Sequence, residues 1–362
     1  MDLISQDEAL KDLCLGLSGK ILCLDTEFVR RSTFYPILAL VQFSDNQENW
    51  LVDAPQIRDW EPLIQQMHAK TVVMHSASED LEVFRNSMNS LPPDLFDTQV
   101  AAAFVGLGSA LSYAALVEKL LGITLEKSQT QSDWLRRPLS QAQITYARED
   151  VLYLEQIYDI LRKMLVDQGK EPWMQAFAEQ VLRDAADLTD PDMAYMKVKG
   201  AGNLKEDQVR VLAPLAAWRE RRARELNKPK NWLIRDAEMV KAARFTPSSR
   251  GELDNMLGMS HESIRRYGDE ILALVDEPPA VELIGLPPAK LEGKDRGLVK
   301  KMQECVSNLA GQHQIAERLI ANRSELEELI RYQRGASAVP RMVSDWRSEI
   351  FTPQILELAN EG

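Results

Sequence analysis

Cysteine is nearly missing from this chain of 362 residues: Cys14, Cys23 and Cys305 lie far apart and never in C-x-x-C spacing. That excludes a disulfide framework and a cysteine-based zinc site. No run of about 18 apolar residues occurs, so no membrane-spanning helix and no membrane partner are predicted. The opening Met1-Asp2-Leu3-Ile4-Ser5-Gln6-Asp7-Glu8 has no basic stretch of the kind that begins a secretory signal. A reduced, cytoplasmic protein is the expectation. A surplus of positive charge is absent too: the formal net charge is −12, which taken alone speaks against a polyanionic partner.

The sum conceals an asymmetry. Residues 1–150 carry 12 Lys/Arg against 21 Asp/Glu, whereas residues 197–250 carry 14 against 6. Because screening confines each charge to about 8–10 Å, a local basic surface is enough to meet phosphates whatever the total. The length predicts two or three domains at about 100–200 residues each. An apolar fraction of 45% suffices for a core in each.

Short apolar runs at 20–29, 36–44 and 48–53 predict three successive antiparallel strands. A helix from about Asp59 to His68 then leads to a strand at Thr71-Val72-Val73-Met74-His75, and strands interleaved with helices mean an α/β layer fold. Ser76 with Glu79 three residues later has the form of a capping box opening the next helix. Leu95–Thr98 is a further short strand. A polar loop, 126–134, has the composition of a mobile segment beside a site. Ser140 and Gln143 open a helix expected to run to about Leu165, with Ile144, Ala147, Val151, Leu154, Tyr158 and Leu161 as its apolar stripe.

Acids recur at the places where chemistry would be done. Asp25 and Glu27 are two apart on the first strand, so both point from one face. Two adjacent carboxylates repel unless one is protonated or a cation such as Mg²⁺ sits between them; a solvated strand end paired with Arg30 and Arg31 is the alternative. Asp80 falls in the first turn of a helix, where an acid suits the dipole. Tyr146 and Asp150, four apart, share a helix flank. Singly, each has an ordinary structural explanation.

Together, Asp25, Glu27, Asp80 and Asp150 with Tyr146 resemble the tyrosine-type DEDD 3′→5′ exonucleases. The motifs are Leu24-Asp25-Thr26-Glu27-Phe28, His75-Ser76-Ala77-Ser78-Glu79-Asp80-Leu81 and Tyr146-Ala147-Arg148-Glu149-Asp150-Val151. Ser132-Asp133-Trp134 with Arg137-Pro138-Leu139-Ser140 resembles the ribonuclease D branch. Sister enzymes that use a histidine base carry it five residues before the last Asp, and Thr145 stands there in this chain.

The resemblance implies a ribonuclease H-like α/β exonuclease domain, a mixed sheet flanked by helices, followed by all-α helical domains. It implies two divalent metal ions, Mg²⁺ or Mn²⁺, held by the four acids. Tyr146 would then orient the attacking water, since a phenol of pKa about 10 makes a poor base at neutral pH. His75 is expected to have only a local hydrogen-bonding role.

Pro/Gly punctuation from 167 to 203 reads as a helical arm. Residues 204–277 resemble the helicase-and-ribonuclease-D C-terminal (HRDC) domain. Pro278-Pro279 and Pro287-Pro288 mark a linker over 278–293, and residues 294–362 read as a second, diverged HRDC-like domain. Arg219, Arg221, Arg222, Arg224, Lys228 and Lys230, with Trp134 and Arg137 of the first domain, are the candidate RNA contacts.

The expected activity is a 3′→5′ exoribonuclease that releases 5′-nucleoside monophosphates in tRNA 3′ maturation. Its partner would be RNA, tRNA precursors in particular, and no obligate protein partner is inferred. A DNA exonuclease of proofreading type and a non-catalytic RNA-binding protein remain the alternatives.

Overall fold

The computed structural model describes residues 3–45, 48–125, 132–279, 282–291, 293–335 and 339–360. Residues 126–131, most of the polar loop expected to be mobile, lie outside the described residues. The chain divides into two units, the first comprising 1–29, 36–187 and 293–362, the second 30–35 and 188–292.

The first unit begins with α1 (Asp7–Gly16), then β1 (Ile21–Val29), β2 (Ile37–Ser44) and β3 (Asn49–Asp53), which form an antiparallel meander. Helix α2 (Glu61–Ala69) leads to β4 (Thr71–Met74), α3 (Ser78–Met88) to β5 (Leu95–Asp97), and β4 and β5 add parallel to β1. The sheet order is β3-β2-β1-β4-β5. Period-two alternation sends Leu22 and Leu24 into a core with Val41, Phe43, Leu63 and Phe84, which leaves Cys23, Asp25 and Glu27 on the opposite face.

The helices that follow are α4 (Thr98–Phe104), α5 (Tyr113–Leu121), α6 (Gln141–Leu152), α7 (Leu154–Asp167) and α8 (Glu171–Ala186); α6 and α7 lie against the sheet, whereas α8 packs on α3 and the Leu22–Leu24 core. The expected single helix from Ser140 to Leu165 is two, because the ladder breaks at Tyr153, whose backbone N–H donates to the Tyr113 hydroxyl at 3.1 Å. The Ser140 capping box is present. The Ser76–Glu79 one is not: α3 starts at Ser78, and the Ser76 and Ala77 N–H groups donate to the Asp97 carboxylate at 3.0 and 2.9 Å. Asp97 also caps α4 through Gln99 N–H. One carboxylate thus fixes the start of both helices.

In the second unit, α9 (Glu206–Glu225), α10 (Asp236–Phe245), α11 (Arg250–Glu252, running into a π-helical turn, Leu253–Leu257) and α12 (His261–Asp276) enclose a core of Leu212, Leu215, Met239, Leu253 and Ile271. The chain then returns to the first unit as α13 (Gly293–His313), α14 (Glu317–Ile320), α15 (Arg323–Gln333) and α16 (Thr352–Asn360).

This return differs from a free-standing C-terminal domain at 294–362, and the 167–187 part of the expected arm likewise groups with the first unit. Aromatic packing explains both. Trp173 lies against His313, Trp346 and Phe351, and Phe104 against Trp346. The Lys170 ammonium, buried, donates to the Phe104 and Gln314 carbonyls at 2.9 and 3.0 Å.

Candidate active site

The first unit brings the four acids to one place. Asp25 and Glu27 project from β1, Asp80 from the first turn of α3 and Asp150 from α6. Asp25 and Glu27 are half-buried and keep some solvent access. Asp80 is 6% exposed, and its carboxylate accepts from the Thr26 hydroxyl. Thr26 therefore ties β1 to α3 from between the two strand acids. Sequence reasoning passes it over, although its place inside Asp-Thr-Glu is the available signal.

Crowding of carboxylates raises their pKa values. Burial pushes Glu27 up to about 8, and the charges of Asp150 and Asp80 add to it. Asp80 rises to about 7 through burial, against the opposing Thr26 bond. Asp150 rises to about 7 through burial, against the opposing Tyr146 bond. Asp25 stands well above the carboxylate range, from burial first and then from Asp80, Asp150 and Glu27.

Tyr146 donates its hydroxyl to Asp150, and burial keeps the phenol protonated well above its usual range. Its ring lies 6.1 Å from that of Trp134. His75 faces Thr98 Oγ1 at 2.9 Å and the Leu111 carbonyl at 3.0 Å, and burial lowers its pKa. A carbonyl only accepts, so Nε2 carries a proton and donates to Leu111, while the Thr98 hydroxyl beside Nδ1 also donates to the Met74 carbonyl at 3.1 Å. Both ring nitrogens are thus engaged inside the protein, which makes His75 a structural strut.

The donor set suits a hard divalent ion, being all carboxylate oxygen. The Asp150 Oδ2 atom is buried with no hydrogen-bond partner, and such an oxygen is costly unless something positive meets it. Among the described residues, no three His, Cys, Asp or Glu side chains already form a coordination shell. Acids that repel one another stay apart until a cation draws them in.

Several of the expected RNA contacts also have partners within the protein. Trp134 is buried, 2% exposed. The Arg137 guanidinium is spent on Asp53 and on the Ala39 and Trp134 carbonyls. Arg219, 6% exposed, is locked to Asp236 at 2.7 Å and to the Ile234 carbonyl at 3.2 Å. Its place on a basic helix conceals an inward-facing side chain. Arg221 pairs with Asp192, Arg222 with Glu225 and Glu270, and Arg224 and Lys230 with Glu220. Lys228 lies over the Trp232 ring.

Among the described residues, no helix is long and apolar enough to cross a membrane. Residues 1–166 match the 3′–5′ exonuclease family and residues 208–275 the HRDC domain family. The chain is 34% identical to ribonuclease D of Escherichia coli across 99% of its own length and 98% of the relative's. It is 36% identical to that of Pseudomonas paraeruginosa, across 91% and 89%. The crystal structure of Escherichia coli RNase D, described as an exoribonuclease involved in structured RNA processing, superposes with a TM-score of 0.90 over 99% of this chain and 98% of that one. The catalytic core of RRP6 from Trypanosoma brucei, 21% identical with a TM-score of 0.57, shares the fold. With identity and fold both sustained over almost the whole length, this chain belongs to the ribonuclease D family of 3′→5′ exoribonucleases.

Proposed function

We propose that the enzyme shortens RNA, tRNA precursors with 3′ extensions among it, one 5′-nucleoside monophosphate at a time in the cytoplasm. The division of labour is an exonuclease domain, 1–166, with an HRDC module, 204–277, as an RNA-holding surface. The observation that carries the reading is the meeting of Asp25, Glu27, Asp80, Asp150 and Tyr146 in one place, close enough to shift one another's pKa values.

Asp25, Glu27, Asp80 and Asp150 would hold a pair of divalent ions, Mg²⁺ or Mn²⁺, which when bound neutralise charge on the scissile phosphate and acidify water. Tyr146 positions the attacking water through its hydroxyl. The water oxygen bonds to phosphorus, the bond from phosphorus to the 3′ oxygen breaks, and the shortened RNA leaves with a free 3′-hydroxyl. Thr26 holds the Asp80 carboxylate in place throughout. Timed digestion of a 3′-extended RNA with and without EDTA, with products identified, tests this. Activity that survives the chelator sinks the mechanism, and equal or faster cleavage of the matching DNA sinks the substrate class.

The raised carboxyl pKa values make a second prediction. Groups near 7 and 8 in the folded state against about 4 when unfolded hold extra protons in the fold, so stability falls as pH rises from about 5 to about 8. Divalent ions replace those protons. The metal-free melting temperature should therefore drop across that range, and Mg²⁺ should restore it at the alkaline end far more than at the acid end. A restoration independent of pH would count against ion binding by these acids.

For RNA contact, the second unit offers a cleft of about 820 Å³ whose lining includes Arg30, Arg31, Lys197, Lys199, Lys230 and Arg235, with Glu220 and Asp236 as its acids. Replacing Lys197, Lys199 and Arg235 together with Gln should weaken RNA binding and reduce the slope of log K against log salt by about 0.7 for each phosphate no longer neutralised. Arg219→Gln should lower the melting temperature, since its guanidinium is held by Asp236 and the Ile234 carbonyl. An unchanged slope in the triple variant would remove the cleft from the RNA path.

A further inference from the structure

The reaction as described leaves Gln42 without a task. It lies within β2, fully buried, and neither its amide nitrogen nor its amide oxygen has a hydrogen-bond partner. Desolvating a primary amide with nothing in return is unfavourable, and groups in that condition are few in folded proteins. A methionine or leucine would fill the same space without that penalty.

The strand register points to its partner. Gln42 stands directly opposite Asp25, with Leu40 opposite Glu27 and Ser44 opposite Cys23. Directly opposed residues share a face with Cβ atoms about 4.5–5.5 Å apart, within reach of a glutamine amide. The neighbours on that face are otherwise occupied. Leu40 packs with Ala147, and the Ser44 hydroxyl donates to the Val151 carbonyl at 3.1 Å. An uncommitted amide buried beside a carboxylate is suited to donating to it when that carboxylate is ionised.

We infer that Gln42 is a positioning residue whose amide N–H donates to the ionised Asp25 carboxylate and fixes the orientation in which Asp25 presents oxygen to a divalent ion. This rests on the reading of the four acids as an ion site. Removing a hydrogen bond that orients a liganding group typically costs 10–100-fold in metal affinity or activity.

Gln42→Met keeps the length of the side chain and deletes the amide. Three quantities are measured: the metal-free melting temperature, the Kd for Mn²⁺ by calorimetry, and kcat and KM on a short RNA. The metal-free protein should melt about 2–4 °C higher, because an unsatisfied buried amide is gone. Mn²⁺ affinity should fall about 10-fold and kcat about 10–100-fold, with KM within about twofold of wild type. A packing role alone moves only the melting temperature, and unchanged Mn²⁺ affinity and kcat overturn the inference. If wild type itself binds no Mn²⁺, the four-acid reading falls and this one with it; if wild type binds and Q42M binds equally, only the Gln42 assignment fails. Should Q42M not fold, Gln42→Leu is measured against the same expectations.

Discussion

Asp25→Asn is expected to cut kcat/KM by about 10³-fold or more while RNA affinity stays near wild type. Removing one group that stabilises transition-state charge already costs about 10²–10³, and here the lost group is also expected to hold the ion that supplies the charge. The substitution keeps shape and deletes one ionisable group from among the acids, so its repulsion with Asp80, Asp150 and Glu27 is gone. The metal-free Asn protein should therefore melt higher than wild type at alkaline pH, because burial and the neighbouring acids oppose a charge on Asp25. Loss of turnover with gained stability is a signature that misfolding cannot produce. Retention of wild-type turnover would remove Asp25 from the reaction.

How much of this is legible in the sequence depends on how local the determinant is. The β1 acids can be placed on one face because strand alternation is a local rule, and the Ser140 capping box can be read because both its members lie within four residues. Asp97 shows the opposite case. It caps α3 from 20 and 21 residues away, so the nearby Ser76 and Glu79 look like a cap while a side chain on another strand does the work. Arg219 misleads for a related reason: composition marks a helix as basic without saying which of its arginines turns inward to Asp236. The return of 293–362 to the first unit is hidden because Trp173, Trp346 and Phe351 declare their partnership only once folded. The convergence of the acids themselves does not follow from spacing, and it is the resemblance to a family that brings Asp80 and Asp150 to Asp25.

Tyr146→Phe removes a single oxygen, and its two consequences can be measured apart. If the hydroxyl positions the attacking water, kcat falls by about 10²–10⁴, while KM and divalent-ion affinity at alkaline pH stay close to wild type. The second consequence comes from the bond to Asp150, which holds that carboxyl below the pKa that burial alone would give it. Without the bond the Asp150 pKa rises further, so a higher pH is needed before the acid is ionised. The acid limb of the kcat/KM profile should move to higher pH in the Phe protein. A phenol acting as general base would instead make activity keep climbing far into the alkaline range, because burial holds Tyr146 well above its usual pKa. A Phe variant whose residual activity keeps the wild-type acid limb would break the assigned link between Tyr146 and Asp150, and one with undiminished kcat would end its role in placing water.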